Sequence, residues 1–156
     1  NAYLLTEFSA EAIRFARDVT TGVLTAAESV PGHDTSRGLG HSVFGANPLE
    51  HHYIWGADLH LTPNGRRLLC SERAESTLTS IEVAPDGRLL GQLSIADTER
   101  QPRGFALSPD GRLVLAVGEK STPLALSRLE DDGTLTPITR VPTGAGANWV
   151  RTIPLD

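Results

Sequence analysis

One phrase occurs twice in this chain, and its spacing restricts the fold more than any other feature. Leu61 to Arg73 reads LTPNGRRLLCSER, and Leu107 to Glu119 reads LSPDGRLVLAVGE. The Pro63-Asn64-Gly65-Arg66 turn returns as Pro109-Asp110-Gly111-Arg112, an offset of 46 (109 − 63). A second turn series, Pro85-Asp86-Gly87-Arg88 and Asp131-Asp132-Gly133-Thr134, is also offset by 46 (133 − 87). Two interleaved turn series sharing one period make a true internal repeat, and a period of about 40 to 50 residues is that of a propeller blade.

The segments between the turns have strand character. Asn-Gly and Asp-Gly favour tight reversals, whereas Gly and Pro interrupt every helical window of useful length. Ala10 to Asp18 (AEAIRFARD) is the one stretch that could pass for a helix, and its place in the repeat makes it a strand. Each repeat is therefore expected to be a four-stranded antiparallel meander, A to D. The expected fold class is all-β, a partial β-propeller of about three blades. The expected layout has strands B to D of a first blade over 1–30 and a long crossover over 31–55. A second blade follows over 56–101, a third over 102–147, and a closing strand A over 148–156.

Strand direction then sorts the polar residues by end. The A–B and C–D turns occupy one end of each meander, so the B–C loops and the D-to-A crossovers occupy the other. Arg73 and Glu119 stand 46 apart at the ends of strands B, and Glu7 has the same place in the first, partial repeat. Ala57, Arg103 and Trp149, again 46 apart, stand before strands A. In a propeller all six ring the mouth of the central channel. The crossover Pro31 to Trp55 holds His33, His41, His51 and His52 and belongs to the same end, either covering the channel or lying over the surface as a loop. A loop of that length is commonly functional. His51 and His52 make no metal motif, because neighbours on an extended chain point apart.

Composition narrows the partners. The 156 residues carry a net charge of −5, which argues against a nucleic-acid partner. A small anion is still compatible, since a few well-placed Arg suffice to create a local positive site. No apolar run approaches the roughly 20 residues of a membrane span, and no leader peptide is evident. The single cysteine, Cys70, excludes an internal disulfide. A cytoplasmic setting is the resulting expectation. The pattern of about three blades, opening in strand B and ending in strand A, falls short of the four to eight of known propellers. Either the sequence is a piece of a longer chain, or copies combine as a homo-oligomer that completes the ring.

Several of these stretches resemble a known family in the family's own order. NAYLLTEF, GADLHLTPNGRRLLCSERAESTLTSIEV, QPRGFALSPDGRLVLAVGEKS and GAGANWV are similar to the C-terminal part of bacterial propeller-type 6-phosphogluconolactonases. That seven-bladed group is related to the fungal carboxymuconate lactonizing enzyme. The resemblance implies hydrolysis of a small anionic sugar lactone, 6-phosphogluconolactone, to 6-phosphogluconate, with no metal and no cofactor. It implies Glu7, Arg73 and Arg103 as catalytic residues; the family's further mouth His and Arg lie in blades without an equivalent here. Lactone formation of the muconate kind, a non-catalytic propeller scaffold and an inactive fragment are the alternatives.

Lactone opening needs an activated water and a stabilised tetrahedral oxygen. Glu7 is the candidate base, with Arg73 and Arg103 gripping phosphate and developing oxyanion. A carboxylate of ordinary pKa, about 4.3, is a weak base at neutral pH. Glu7 orienting Arg73, or an ion pair tying neighbouring blades, is therefore the competing reading. His60, Glu119 and Trp149 complete the expected set as substrate-binding residues, Trp149 by stacking on a sugar ring. His60 shares a strand face with Asp58 and also suits a hydrogen-bonded histidine between blades, nearer the turn end. Glu72 and Lys120 suit solvated charges.

Overall fold

The computed structural model describes residues 1–154, which form three antiparallel sheets. The first sheet holds β1 (Ala2–Leu5), β2 (Glu11–Arg17) and β3 (Leu24–Pro31) in chain order. The second holds β4 (Gly56–Leu61), β5 (Arg67–Glu72), β6 (Thr77–Val83) and β7 (Leu89–Asp97). The third holds β8 (Phe105–Leu107), β9 (Leu113–Ala116), β10 (Pro123–Leu129) and β11 (Leu135–Pro142). The segment AEAIRFARD is a strand, as its place in the repeat requires.

The sequence repeat is also a repeat of hydrogen-bond register. Leu59 pairs with Cys70, and Cys70 with Thr79. In the third sheet Phe105 pairs with Ala116, and Ala116 with Ala125, so every partner advances by 46 (116 − 70). In the first sheet Leu4 pairs with Ile13, a step of 66 to the Cys70–Thr79 pair (70 − 4), because the first crossover is longer. Register of this fidelity follows from the alternation of side chains, since a slip of one residue would turn every core group outward.

The turns explain why the phrase recurs. Gly65 donates its N–H to the Thr62 carbonyl, and Asn64 Oδ1 accepts from Arg66 N at 3.0 Å. Asp86, Asp110 and Asp132 accept in the same way from Arg88, Arg112 and Thr134. Positive φ falls on the glycines alone, 69° at Gly65 and 72° at Gly111, while the Asn or Asp ties the backbone two residues on.

The core lies between sheets. Ala12 of the first sheet packs with Leu68, Cys70 and Ile81 of the second. Leu69 and Leu78 of the second pack with Phe105, Val114 and Leu135 of the third. The strands nearest one side, β1, β4 and β8, adjoin in turn, as do β3, β7 and β11 on the other. Consecutive sheets are thus stacked face to face like blades about an axis, a partial β-propeller. Burial in the apolar core pushes the Cys70 thiol pKa up to about 12, with the Asp58 charge adding to it.

The final segment departs from expectation. Asn148 to Pro154 forms no strand; it runs beside β8, where Thr152 Oγ1 donates to the Leu107 carbonyl at 2.7 Å. Residues 155–156, the end of the expected strand, lie outside the described residues. The crossover is folded, with a 3₁₀ turn at Thr35–Arg37, a helix α1 (Pro48–His51) and a bridge between Gly40 and Tyr53. Arg37 fastens it to the second sheet through Glu75 and Asp97, each at 3.1 Å. Among the described residues no helix is long and apolar enough to cross a membrane.

Candidate functional site

The B–C loops and the crossovers meet at one end of the sheets, as strand direction requires, and enclose a cavity of about 190 Å³. Leu5, Glu7 and Arg73 line it from the ends of β1 and β5. Gly56, Ala57 and Arg103 line it from the starts of β4 and β8, and Trp149 closes the third side. Residues set 46 apart in the sequence, Ala57, Arg103 and Trp149, share this one wall. Larger clefts of about 720 and 460 Å³ lie at the turn end of the third sheet and between the outer strands. The larger is lined by charges of the turn end itself, Asp110, Arg112, Arg128, Glu130, Asp131 and Asp132, acidic in balance, whereas two of the three charges of the mouth cavity are arginines.

Among the described residues four non-glycine residues have positive φ, Ala10, His52, Ser76 and Gln101. All four lie at this end, in the B–C loops or the crossovers. Strained backbone concentrates where a structure holds functional groups in place.

The cations are organised by Glu119. Arg73 Nη2 donates to Glu119 Oε2 at 2.6 Å, and Arg103 Nη1 lies 3.5 Å from Oε1. The Arg73 side chain is only 6% exposed, whereas that of Arg103 is 48% exposed. Arg73 Nε is buried and makes no hydrogen bond to the rest of the chain. Arg73 also lies flat over the Trp55 ring, its Cζ 3.5 Å from the centroid. Glu7 makes no ion pair with Arg73; its Oε1 accepts from the Trp55 indole N–H at 2.9 Å. The pair that ties neighbouring blades is Arg73–Glu119, and Glu7 stays exposed at the mouth.

The structure does not bring His60 to this cavity. Its Nε2 lies 3.0 Å from Asp58 Oδ2, its ring meets the Phe105 ring edge-on at 4.6 Å, and it lines a cleft nearer the turns. Asp58 Oδ2 also accepts from Phe105 N at 3.1 Å, so the Asp58–His60 pair joins the second sheet to the third. Burial raises the Asp58 pKa, but bonds from His60 and from the Phe105 and Leu59 N–H groups outweigh it and hold the carboxyl below the usual range.

Glu72 is not a solvated charge. It is fully buried and accepts three backbone N–H bonds, from Trp55 (2.7 Å), Ala74 (3.0 Å) and Glu75 (2.7 Å). Trp55 was not expected at the site, and Glu72 was expected near the mouth only as a solvated charge. By the 46-residue period Trp55 corresponds to Gln101, whose carbonyl likewise accepts from Glu119 N, but nothing in the period marks the indole. The one available signal was its position immediately before β4.

Antiparallel sheets stacked about an axis, with arginines and a carboxylate gathered at their strand ends, define a partial β-propeller. The chain belongs to the lactonase family of seven-bladed β-propellers, which it matches over residues 1–152. It is 38% identical over 103 residues to the 6-phosphogluconolactonase of Blochmanniella pennsylvanica, a match covering 65% of this chain and 31% of that one. It is 42% identical over 97 residues to the Serratia proteamaculans 6-phosphogluconolactonase, covering 62% and 29%. The matches span roughly a third of the length of these relatives. Among solved structures, a Lactobacillus plantarum protein superposes with a TM-score of 0.80 at 23% identity, covering 97% of this chain and 41% of that one. The periplasmic gluconolactonase of Pseudomonas aeruginosa gives 0.71 at 25% identity, covering 93% and 37%.

Proposed function

We propose that this chain carries part of the catalytic mouth of a 6-phosphogluconolactonase and takes part in hydrolysing 6-phosphogluconolactone to 6-phosphogluconate. The observation that carries this reading is the convergence of Glu7, Arg73 and Arg103 on one cavity, from three sheet ends far apart in the sequence. The relatives named above support the choice of lactone. Water attacks the lactone carbonyl carbon while Glu7 takes its proton. The tetrahedral oxygen collapses, the ring carbon–oxygen bond breaks, and the departing ring oxygen picks up a proton to become the product hydroxyl. Arg73 and Arg103 divide the phosphate and the developing oxyanion between them; the phosphate contact holds the substrate throughout, and the oxyanion contact strengthens as charge develops. Trp149 offers its ring face to the sugar.

Further blades complete the mouth in this reading, contributed by a second copy of this chain or by a longer chain. Leu4 is 45% exposed on the free face of the first sheet, and the cross-strand neighbours Leu115 and Leu126 lie on the free face of the third. Apolar faces of this kind suit a neighbouring sheet. Sedimentation distinguishes the sources: a dimer supports a ring closed by two copies, and a monomer refutes that route. A cytoplasmic setting also belongs to the proposal and is open to test by cell fractionation. Lactone hydrolysis, followed for the chain and for Arg73→Ala and Arg103→Ala, tests the site. Activity unaffected by both changes removes it.

A further inference from the structure

We propose that Trp55 is the positioning residue of this mouth, holding Arg73 and Glu7 apart and in place. The inference rests on the reading of the mouth given above. Both backbone groups of Trp55 are gripped by the end of β5. Its N–H donates to Glu72 at 2.7 Å, and its carbonyl accepts from Arg73 N at 2.9 Å. The preceding Ile54 is buried, and the bridge to Gly40 and the Arg37 ion pairs hold the crossover behind it. The ring therefore has little freedom to move.

From that anchored position one side chain touches both charges. The Arg73 guanidinium lies 3.5 Å from the ring centroid, and the indole N–H holds Glu7 Oε1 at 2.9 Å. Opposite charges on adjacent blades would otherwise neutralise each other, because a direct Arg–carboxylate pair is a strong, often bidentate contact. The indole interrupts that collapse. It occupies the face of Arg73 and gives Glu7 a neutral donor in place of a cation. Glu119 takes one Arg73 nitrogen, and Nε is left buried and unbonded. Arg73 thus lines the cavity held by Glu119 and by the indole, with no bond to Glu7.

Three variants test this, Trp55→Leu, Trp55→Phe and Arg73→Ala. The first measurement uses no ligand: the Arg73 Nε–H resonance in a nitrogen-15 spectrum. The ring current of Trp55 should displace it upfield in the native chain and in Trp55→Phe, and the displacement should vanish in Trp55→Leu. The second is calorimetric titration with 6-phosphogluconate, where Trp55→Leu should weaken binding roughly ten-fold through loss of the stack. The third is lactone hydrolysis by Trp55→Phe, which keeps the ring but not the indole N–H; kcat should fall while KM holds, because only Glu7 has lost its partner. An Arg73 resonance unmoved in Trp55→Leu overturns the inference, whether or not the chain binds ligand. So does a Trp55→Phe enzyme with unchanged kcat, which decides the matter should Trp55→Leu fail to fold. Arg73→Ala binding 6-phosphogluconate like the native chain overturns instead the reading of the mouth, leaving the resonance test of Trp55 intact.

Discussion

The two ends of the sheets are built on opposite rules. At the turn end the same chemistry recurs: an Asn or Asp accepts from the backbone two residues on, and a left-handed glycine follows. At the mouth end equivalent positions hold different residues: Glu7, Arg73 and Glu119 after the second strands, and Ala57, Arg103 and Trp149 before the first. What the repeat preserves is what each blade needs in order to fold. What it varies is the set of side chains at the mouth, which in the proposed function serve one site rather than every blade.

The sharpest way to break this contrast is to remove one arginine from each end. Arg73→Ala should lower lactone hydrolysis roughly 100- to 1000-fold, the usual cost of losing a charge-stabilising donor. Arg66→Ala, in a turn, should leave the rate unchanged. Steady-state kinetics on the two variants decide it. Equal losses would mean that the mouth has no special standing.

The next effect is on stability. Glu72 serves three backbone N–H groups from inside the fold, so Glu72→Ala strands them and should cost about 3 kcal/mol in urea unfolding. Gly65→Ala is its counterpart at the turn end. A Cβ there meets nothing within 4 Å, so the cost is the left-handed backbone alone, about 1 to 2 kcal/mol, with activity retained. A Glu72→Ala protein no less stable than Gly65→Ala would show that the buried carboxylate does not brace the mouth.

The same contrast explains what was legible in the sequence. The turns carry their own local chemistry, so strands, sheet register and the end to which each loop belongs could all be read from spacing. Glu7, Arg73, Arg103 and Trp149 reach one cavity because strand direction alone determines their end. The backbone place of Trp55 repeats that of Gln101, whose carbonyl accepts from Glu119 N as the Trp55 carbonyl does from Arg73 N, but the indole contacts to Glu7 and Arg73 do not recur and leave no trace in the spacing. Nor could Glu119 be seen as the shared partner of two arginines, because that contact spans two blades. Of the two readings of His60, substrate-binding residue and hydrogen-bonded histidine between blades, its distance from the strand end suits the second, which is where it lies. The closing strand was extrapolated from the repeat. Gly104 shows what happens instead: a Cβ there would come within 2.8 Å of the Asn148 carbonyl, so its absence lets the final segment lie close against β8 without pairing as a strand.

The smallest expected effect probes the junction between the two ends. Asp58 ties the second sheet to the third through His60 and Phe105 N, and its carboxyl is held below the usual range. A depressed acid stabilises the fold above the unfolded carboxylate pKa, about 3.9, and that contribution is lost as pH falls through the folded value. Asp58→Asn keeps one oxygen for Phe105 N–H but gives up the charge and the second acceptor, which takes the Leu59 N–H. It should therefore cost about 1 kcal/mol at neutral pH, and the gap should close as the native protein is acidified. Urea midpoints measured for both proteins across the acid range would show it. A gap that persists at the lowest pH would mean that Asp58 acts through its shape and hydrogen bonds, leaving the inter-blade tie independent of charge.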